Sequence, residues 1–150
     1  MNSRFNDPHR AQRDLLRGCE LLGGLPPDVL SELVAASRIV ELSANRTLYE
    51  AGELIREAHI LFNGSVKRAV SMPGGATRVI EIVQNEQLLG MGEVFSASHY
   101  ASTCSGITHA LLVAIDIRKL RDMVLHSHEL SCRIITALAR RQCATEFDAT

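Results

Sequence analysis

Glycine spacing constrains this chain more than any other feature of it. Seven of the ten glycines, Gly52, Gly64, Gly74, Gly75, Gly90, Gly92 and Gly106, fall between residues 52 and 106 among other turn-forming residues. Between them lie short segments rich in β-branched side chains: Arg38–Leu42, Thr47–Glu50, His59–Phe62, Ser65–Ser71, Thr77–Val83, Gln87–Leu89, Ala101–Cys104 and Ala110–Ile115. About eight short strands at this spacing predict a barrel or jelly roll. Met72-Pro73-Gly74-Gly75-Ala76 is the clearest hairpin, since proline presets one turn residue and glycine supplies positive φ.

The chain is long enough for one core and short for two. It has 150 residues, 46% apolar and 22% charged, with a formal net charge of -1, so it can bury a core and carries no field that would hold a polyanion. Its uncharged apolar runs, such as Ala110–Ile115, are far below the ~20 residues of a membrane span. Arg4, Asp7, Arg10, Arg13 and Asp14 interrupt what would be the apolar stretch of a signal peptide. A cytoplasmic protein without membrane association is expected. Cys19, Cys104, Cys132 and Cys143 contain no CxxC pair, so reduced thiols are expected rather than a zinc ribbon or a local redox dithiol.

Helices flank the β region. An upstream helix is predicted from about Pro8 to Leu22, stopped by Gly23-Gly24, and a second after Pro26-Pro27-Asp28, with Val29, Leu30, Leu33 and Val34 at helical spacing. Asp116 can cap a short helix carrying Ile117, Leu120 and Val124. From Ser127 to about Glu146 there is neither Gly nor Pro, room for a helix of ~30 Å. At 100° per residue one stripe of it holds Leu130, Ile134, Ala137 and Leu138 with Arg141 at the end, and a second holds His128, Cys132, Ile135, Ala139 and Cys143. Two apolar faces need two partners, one being the barrel and the other a second chain. The first stripe is assigned to the dimer, so Ile134→Glu or Leu138→Glu is expected to favour monomer. The resulting organisation is a helical lead at 1–24, a β-roll with a helical cap at 25–126 and a dimerisation helix at 127–150: mainly β with flanking helices, a double-stranded β-helix.

This order of elements resembles the sensor half of the Crp/Fnr family of bacterial transcription regulators, and local motifs agree. Glu50-Ala51-Gly52-Glu53 is similar to that family's turn after the second strand, Phe62-Asn63-Gly64-Ser65-Val66-Lys67 to its strand-glycine-strand corner, and Pro73-Gly74-Gly75 to its hairpin tip. Leu89-Gly90-Met91-Gly92-Glu93-Val94-Phe95 resembles the start of its ligand cassette, and Ala114-Ile115-Asp116 with Leu120 the step into the long helix. The resemblance covers residues 15–145 and implies a homodimer, a small-molecule or gas effector, and DNA contact only through a helix-turn-helix domain that would follow Thr150. The pocket candidates it implies are Gly90, Met91, Gly92, Glu93, Tyr100 and Ala101.

In the cyclic-nucleotide branch a glutamate holds the ribose and an arginine about ten residues later pairs with the phosphate. Counting from Glu93 gives Ser102 or Thr103 at the arginine's place; aligning the strand instead gives Tyr100 there and Gly90 at the glutamate's. No Lys or Arg lies between Arg78 and Arg118, so the cassette itself offers no guanidinium to a buried phosphate, and cyclic AMP is disfavoured. The tyrosine alignment resembles the Fnr and nitrogen-oxide-sensing branches. With Cys19 alone in the N-terminal region an Fnr-type cysteine cluster is missing, whereas haem stays open, with His59, His99, His109 and Cys104 as candidate ligands and Met72 and Met91 as further donors.

Other classes are weaker. A cupin-type metalloenzyme would need strand-borne histidines with a carboxylate, but the one close pair, His126 and His128, falls where a helix begins; no GxSxG, P-loop or Rossmann glycine pattern is present either. No enzyme and no metal site are expected. Two alternatives remain: a cyclic-nucleotide-binding domain that holds the phosphate by a non-standard contact, for which an arginine outside the cassette such as Arg56, Arg68 or Arg78 would have to reach the chamber, and a dimerisation module without ligand, which would fill its pocket with Leu88, Met91, Val94 and Phe95.

Overall fold

The computed structural model describes residues 7–148. The first six residues of the lead, with Arg4, and the last two of the C-terminal segment lie outside the described residues.

Among the described residues eight antiparallel strands form two four-stranded sheets. One has the order β1 (Ser37–Leu42), β8 (Ala110–Asp116), β3 (Glu57–Asn63), β6 (Gln87–Leu88); the other β2 (Thr47–Tyr49), β7 (Thr103–Gly106), β4 (Val66–Ser71), β5 (Thr77–Val83). All eight predicted strands are present, with small shifts at their ends. β3 and β8 sit inside the first sheet and are covered on both faces, so their sequences run apolar without alternation, as Ile60 and Leu61 or Leu112 to Ile115 show. β4 and β5 meet at the predicted tip, where Met72 N–H donates to the Ala76 carbonyl at 2.7 Å and Gly74 and Gly75 take φ of 95° and 91°. At the Asn63-Gly64 corner glycine is obligatory: Gly64 has φ 88°, and a Cβ there would run into the His109 carbonyl oxygen and stand 2.8 Å from Ala110 Cα.

Among the described residues five helices frame the roll. α1 (Arg10–Gly18) ends earlier than the sequence suggested, because the chain turns extended at Cys19, directly after a glycine that disfavours helix; Gly23 and Gly24 belong to the turns that follow. α2 (Pro27–Ala35) has proline in its first turn and buries Leu30, Leu33 and Val34. α3 (Met91–Ser96) is a short helix within the segment likened to the ligand cassette. α4 (Ile117–His126) is capped as expected, Lys119 N–H donating to Asp116 Oδ2 at 3.0 Å. α5 spans His128–Asp148.

The stripe of α5 that the roll buries is the one assigned from sequence to a second chain. Leu130 and Ile134, assigned from sequence to the dimer seam, are buried in the chain's own core, and Ala137 and Leu138 pack partly against it. Arg141, at the end of that stripe, also turns inward. The exposed stripe is the second one: Ile135 is 65% exposed, with His128, Cys132, Ala139 and Cys143 on the same face. Periodicity finds two apolar stripes but cannot say which one the roll claims.

Candidate functional site

Two cavities lie beneath α5. The smaller, about 430 Å³ and open to one side, is lined by α3 (Gly92, Glu93, Ser96), Arg68 of β4, and Leu138 and Arg141 of α5. The larger, about 530 Å³, runs between α5 and the Cys19–Leu21 segment, over an apolar floor that includes Ile60, Leu88 and Met91. Met91 lines both.

The chemistry of the smaller chamber centres on Glu93. Its Oε2 accepts from the Ala101 backbone N–H at 3.0 Å, and its Oε1 accepts from the Ser102 hydroxyl at 2.9 Å and from the Arg68 guanidinium. Arg68 also meets Glu81 at 3.4 Å, and Glu81 in turn holds Arg141 of α5 at 2.7 Å. Burial alone would lower the Arg68 pKa, but the hydrogen bond to Glu93, with the nearby Glu81 and Glu93 charges, raises it, so the guanidinium stays charged. Arg141 further donates to the Leu88 carbonyl at 3.3 Å. α3 is tied from below as well: Arg121 of α4 donates to the Val94 and Ala97 carbonyls at 2.8 Å.

The absence of a cation within the cassette therefore does not leave the chamber without one. Arg68 arrives from a neighbouring strand and Arg141 from the long helix, which removes the electrostatic premise of the sequence argument. A sequence signal did exist for Arg68, since it stands two residues after Val66, at the parity that faces inward along β4. Nothing local marked Arg141, because it was read as the end of the stripe facing a second chain.

Of the pocket candidates, Gly90, Met91, Gly92 and Glu93 line the chamber. Ala101 contributes its amide. Tyr100 does not line it: the ring stacks on Tyr49 with centroids 3.6 Å apart and its hydroxyl donates to the Glu57 carbonyl at 2.8 Å, which makes it core. Two buried side-chain atoms have no hydrogen-bond partner within the described chain, the Tyr49 hydroxyl and Arg68 Nε. Both face the same spot, because a Cβ placed on Gly90 would lie 3.5 Å from Tyr49 Oη and 3.8 Å from Arg68 Nε.

The haem-ligand candidates do not converge. His99 and His109 are exposed. His59 and Cys104 are buried in the roll, and none of the four lines either cavity. Burial pushes the Cys104 thiol up to about 12, the reverse of an activated ligand. Alternating strand direction explains the miss: His59 points into the roll against Tyr49 while its neighbour Ile60 faces the larger cavity. These residues do not fit a haem, and Met72 sits exposed on the hairpin tip.

His59 has a different consequence. Burial lowers its pKa from 6.5 to about 4. As pH falls through that interval the unfolded chain takes up a proton that the folded chain refuses, so stability present above about pH 6.5 is lost toward pH 4, by up to about 3 kcal/mol. His59→Phe should flatten the unfolding free energy between pH 6.5 and 5, measured by urea denaturation. The same slope in both proteins would refute this origin. Glu57, held below its usual range by the Arg38 hydrogen bond, does not protonate until lower pH and leaves that window clear.

Comparison with known proteins follows the geometry. Residues 39–127 match the family described as "Cyclic nucleotide-binding domain". The chain is 23% identical over 128 residues to the "CRP-like cAMP-activated global transcriptional regulator" of Mycobacterium tuberculosis, covering 85% of this chain and 57% of that protein. Among solved structures, the sensor domain of the transcriptional regulator DNR from Pseudomonas aeruginosa superimposes with a TM-score of 0.77 at 21% identity, covering 95% of each chain. The Catabolite Activator Protein of Thermus thermophilus gives a TM-score of 0.69 at 15% identity, covering 86% of this chain and 61% of that one. These likenesses establish a shared fold. The chain spans little more than half the length of the curated relative it matches.

Proposed function

Since the chain belongs to the cyclic nucleotide-binding domain family, we propose that it is the effector-sensing part of a dimeric transcription regulator of Crp/Fnr type, and that its effector is not a cyclic mononucleotide. The observation that carries this reading is that one helix, α5, roofs both cavities and is pinned to the roll by Arg141 through Glu81 and the Leu88 carbonyl. A guest in either cavity competes for the contacts that set the position of α5. Displacement of α3 reaches α4 through Arg121 and α5 through the Arg68–Glu81–Arg141 chain, and α5 carries the exposed stripe on which a second copy would pack. DNA contact falls to a domain beyond this chain, as the relatives' greater length and regulator names suggest.

Against a cyclic nucleotide stands Glu93. The three donors that would grip a phosphate, the Ala101 amide, the Ser102 hydroxyl and the Arg68 guanidinium, already hold a carboxylate of the chain itself. An incoming phosphate must break all three contacts and leave Glu93 facing another anion. The donors still unmet, the Tyr49 hydroxyl and Arg68 Nε, favour an effector with an acceptor oxygen beside Gly90. Cavities of this size argue against the alternative of a module that has closed its pocket, since Leu88, Met91, Val94 and Phe95 leave both spaces open.

Isothermal titration of the purified chain with cyclic AMP and cyclic GMP should give no binding in the micromolar range, and micromolar affinity for either would overturn the exclusion. A panel of small oxygen-bearing molecules should contain stabilisers that raise Tm in the unmodified chain and lose the effect in Tyr49→Phe. Sedimentation should find a dimer; a monomer at tens of micromolar would reject the dimeric part of the reading.

A further inference from the structure

We propose that His128 and Cys132 are half of a zinc site, completed as a tetrahedral Cys₂His₂ centre by the same two residues of a second copy of this chain. The two side chains lie one turn apart at the start of α5, both exposed, with His128 Nε2 3.6 Å from Cys132 Sγ and Cys132 at the rim of the larger cavity, where the exposed stripe begins. Zinc binds thiolate sulfur at about 2.3 Å and imidazole nitrogen at about 2.0–2.1 Å, so the edge of a tetrahedron joining these two donors measures about 3.6 Å. The pair already spans that edge. The neighbouring ionisable groups are engaged elsewhere: Glu129 faces Arg133 at 3.6 Å, and His126 faces Asp122 at 3.3 Å.

A single chain cannot finish the coordination. Among the described residues no three His, Cys, Asp or Glu side chains come together as a metal site. The occupant that supplies the missing ligands is a second copy, because a two-fold axis beside α5 repeats the His128–Cys132 pair while bringing together the apolar residues that continue the same stripe, Ile135 at 65% exposure above all. Two thiolates and two neutral imidazoles balance the charge of Zn²⁺. Each thiol gives up its proton to solvent on binding, and no electron is transferred. Two sulfur and two nitrogen donors in a tetrahedron select zinc among the common divalent ions.

The proposal rests on the dimeric reading above, and its test separates the two. Untagged protein, stripped of metal and kept reduced with a phosphine, is titrated with Co²⁺ and then Zn²⁺. The expected result is a thiolate-to-cobalt charge-transfer band with intense tetrahedral d–d absorption, saturating at one cobalt per two chains and bleached by zinc. Zinc should tighten the dimer by about tenfold or more in sedimentation. Cys132→Ser and His128→Gln, both at exposed positions, should lose the band and the tightening, whereas Cys143→Ser keeps them. A dimer that persists in chelator but shows no cobalt band overturns the metal site and leaves the dimer standing. A monomer with no band overturns both, and one cobalt per chain, or a band that survives Cys132→Ser, overturns the shared site.

Discussion

Replacing Arg68 with methionine should lower the stability of the folded chain by about 3 kcal/mol, because it leaves the Glu93 carboxylate buried without its counter-ion and takes one of two cations from Glu81. The Arg68 and Glu93 side chains are only 11% and 14% exposed, so water offers little compensation. For a domain of this length the loss corresponds to a fall in Tm on the order of 6–12 °C, followed by circular dichroism. Arg68→Lys keeps the charge but not the fork that reaches Glu81 and Glu93 together, and should fall in between. The double variant Arg68→Met with Glu93→Gln should recover part of the loss, since the orphaned charge is then gone. A drop below about 1 kcal/mol for Arg68→Met would mean that Glu93 is satisfied without it, and the description of the chamber as closed on its own carboxylate would fail.

The chamber also shows where a sequence stops being legible. Strands were readable because each is short, β-branched and bounded by glycine, and because Gly64, Gly74 and Gly75 take the left-handed backbone that their turns require. The cap of α4 was readable because Asp116 is adjacent in sequence to the amides it serves. Four of the six pocket candidates line the chamber for the same reason: Gly90 to Glu93 form one contiguous segment. What sequence could not supply was convergence. Arg68, Glu81, Glu93 and Arg141 stand 13 to 60 residues apart along the pairs they form, and only strand register and the docking of α5 bring them together. Tyr100 was misplaced because an aromatic on a strand reads equally well as pocket or core, and its stack on Tyr49 decides for core. The haem candidates were grouped by donor chemistry without knowing which side of each strand they occupied.

The second large effect distinguishes two adjacent residues of α5. Ile134→Glu should cost more than about 4 kcal/mol, because Ile134 is 3% exposed and its replacement would place an unpaired carboxylate in the chain's own core. Ile135→Glu, one residue on and 65% exposed, should change the stability of the single chain by no more than about 0.5 kcal/mol. Its effect belongs to the proposed assembly: in a dimer packed on the stripe of His128, Cys132 and Ala139 the charge would meet its own two-fold copy, and sedimentation should show dimer giving way to monomer. Leu138 lies between these extremes, partly buried against the core, so Leu138→Glu should destabilise the fold before it affects association. The pair therefore reverses the assignment drawn from helical periodicity alone, in which Ile134 guarded the dimer. If Ile134→Glu leaves Tm unchanged while dissociating the protein, and Ile135→Glu does neither, then α5 docks on the roll through the opposite face, and the cavities beneath it, Arg141 included, would have to be redrawn.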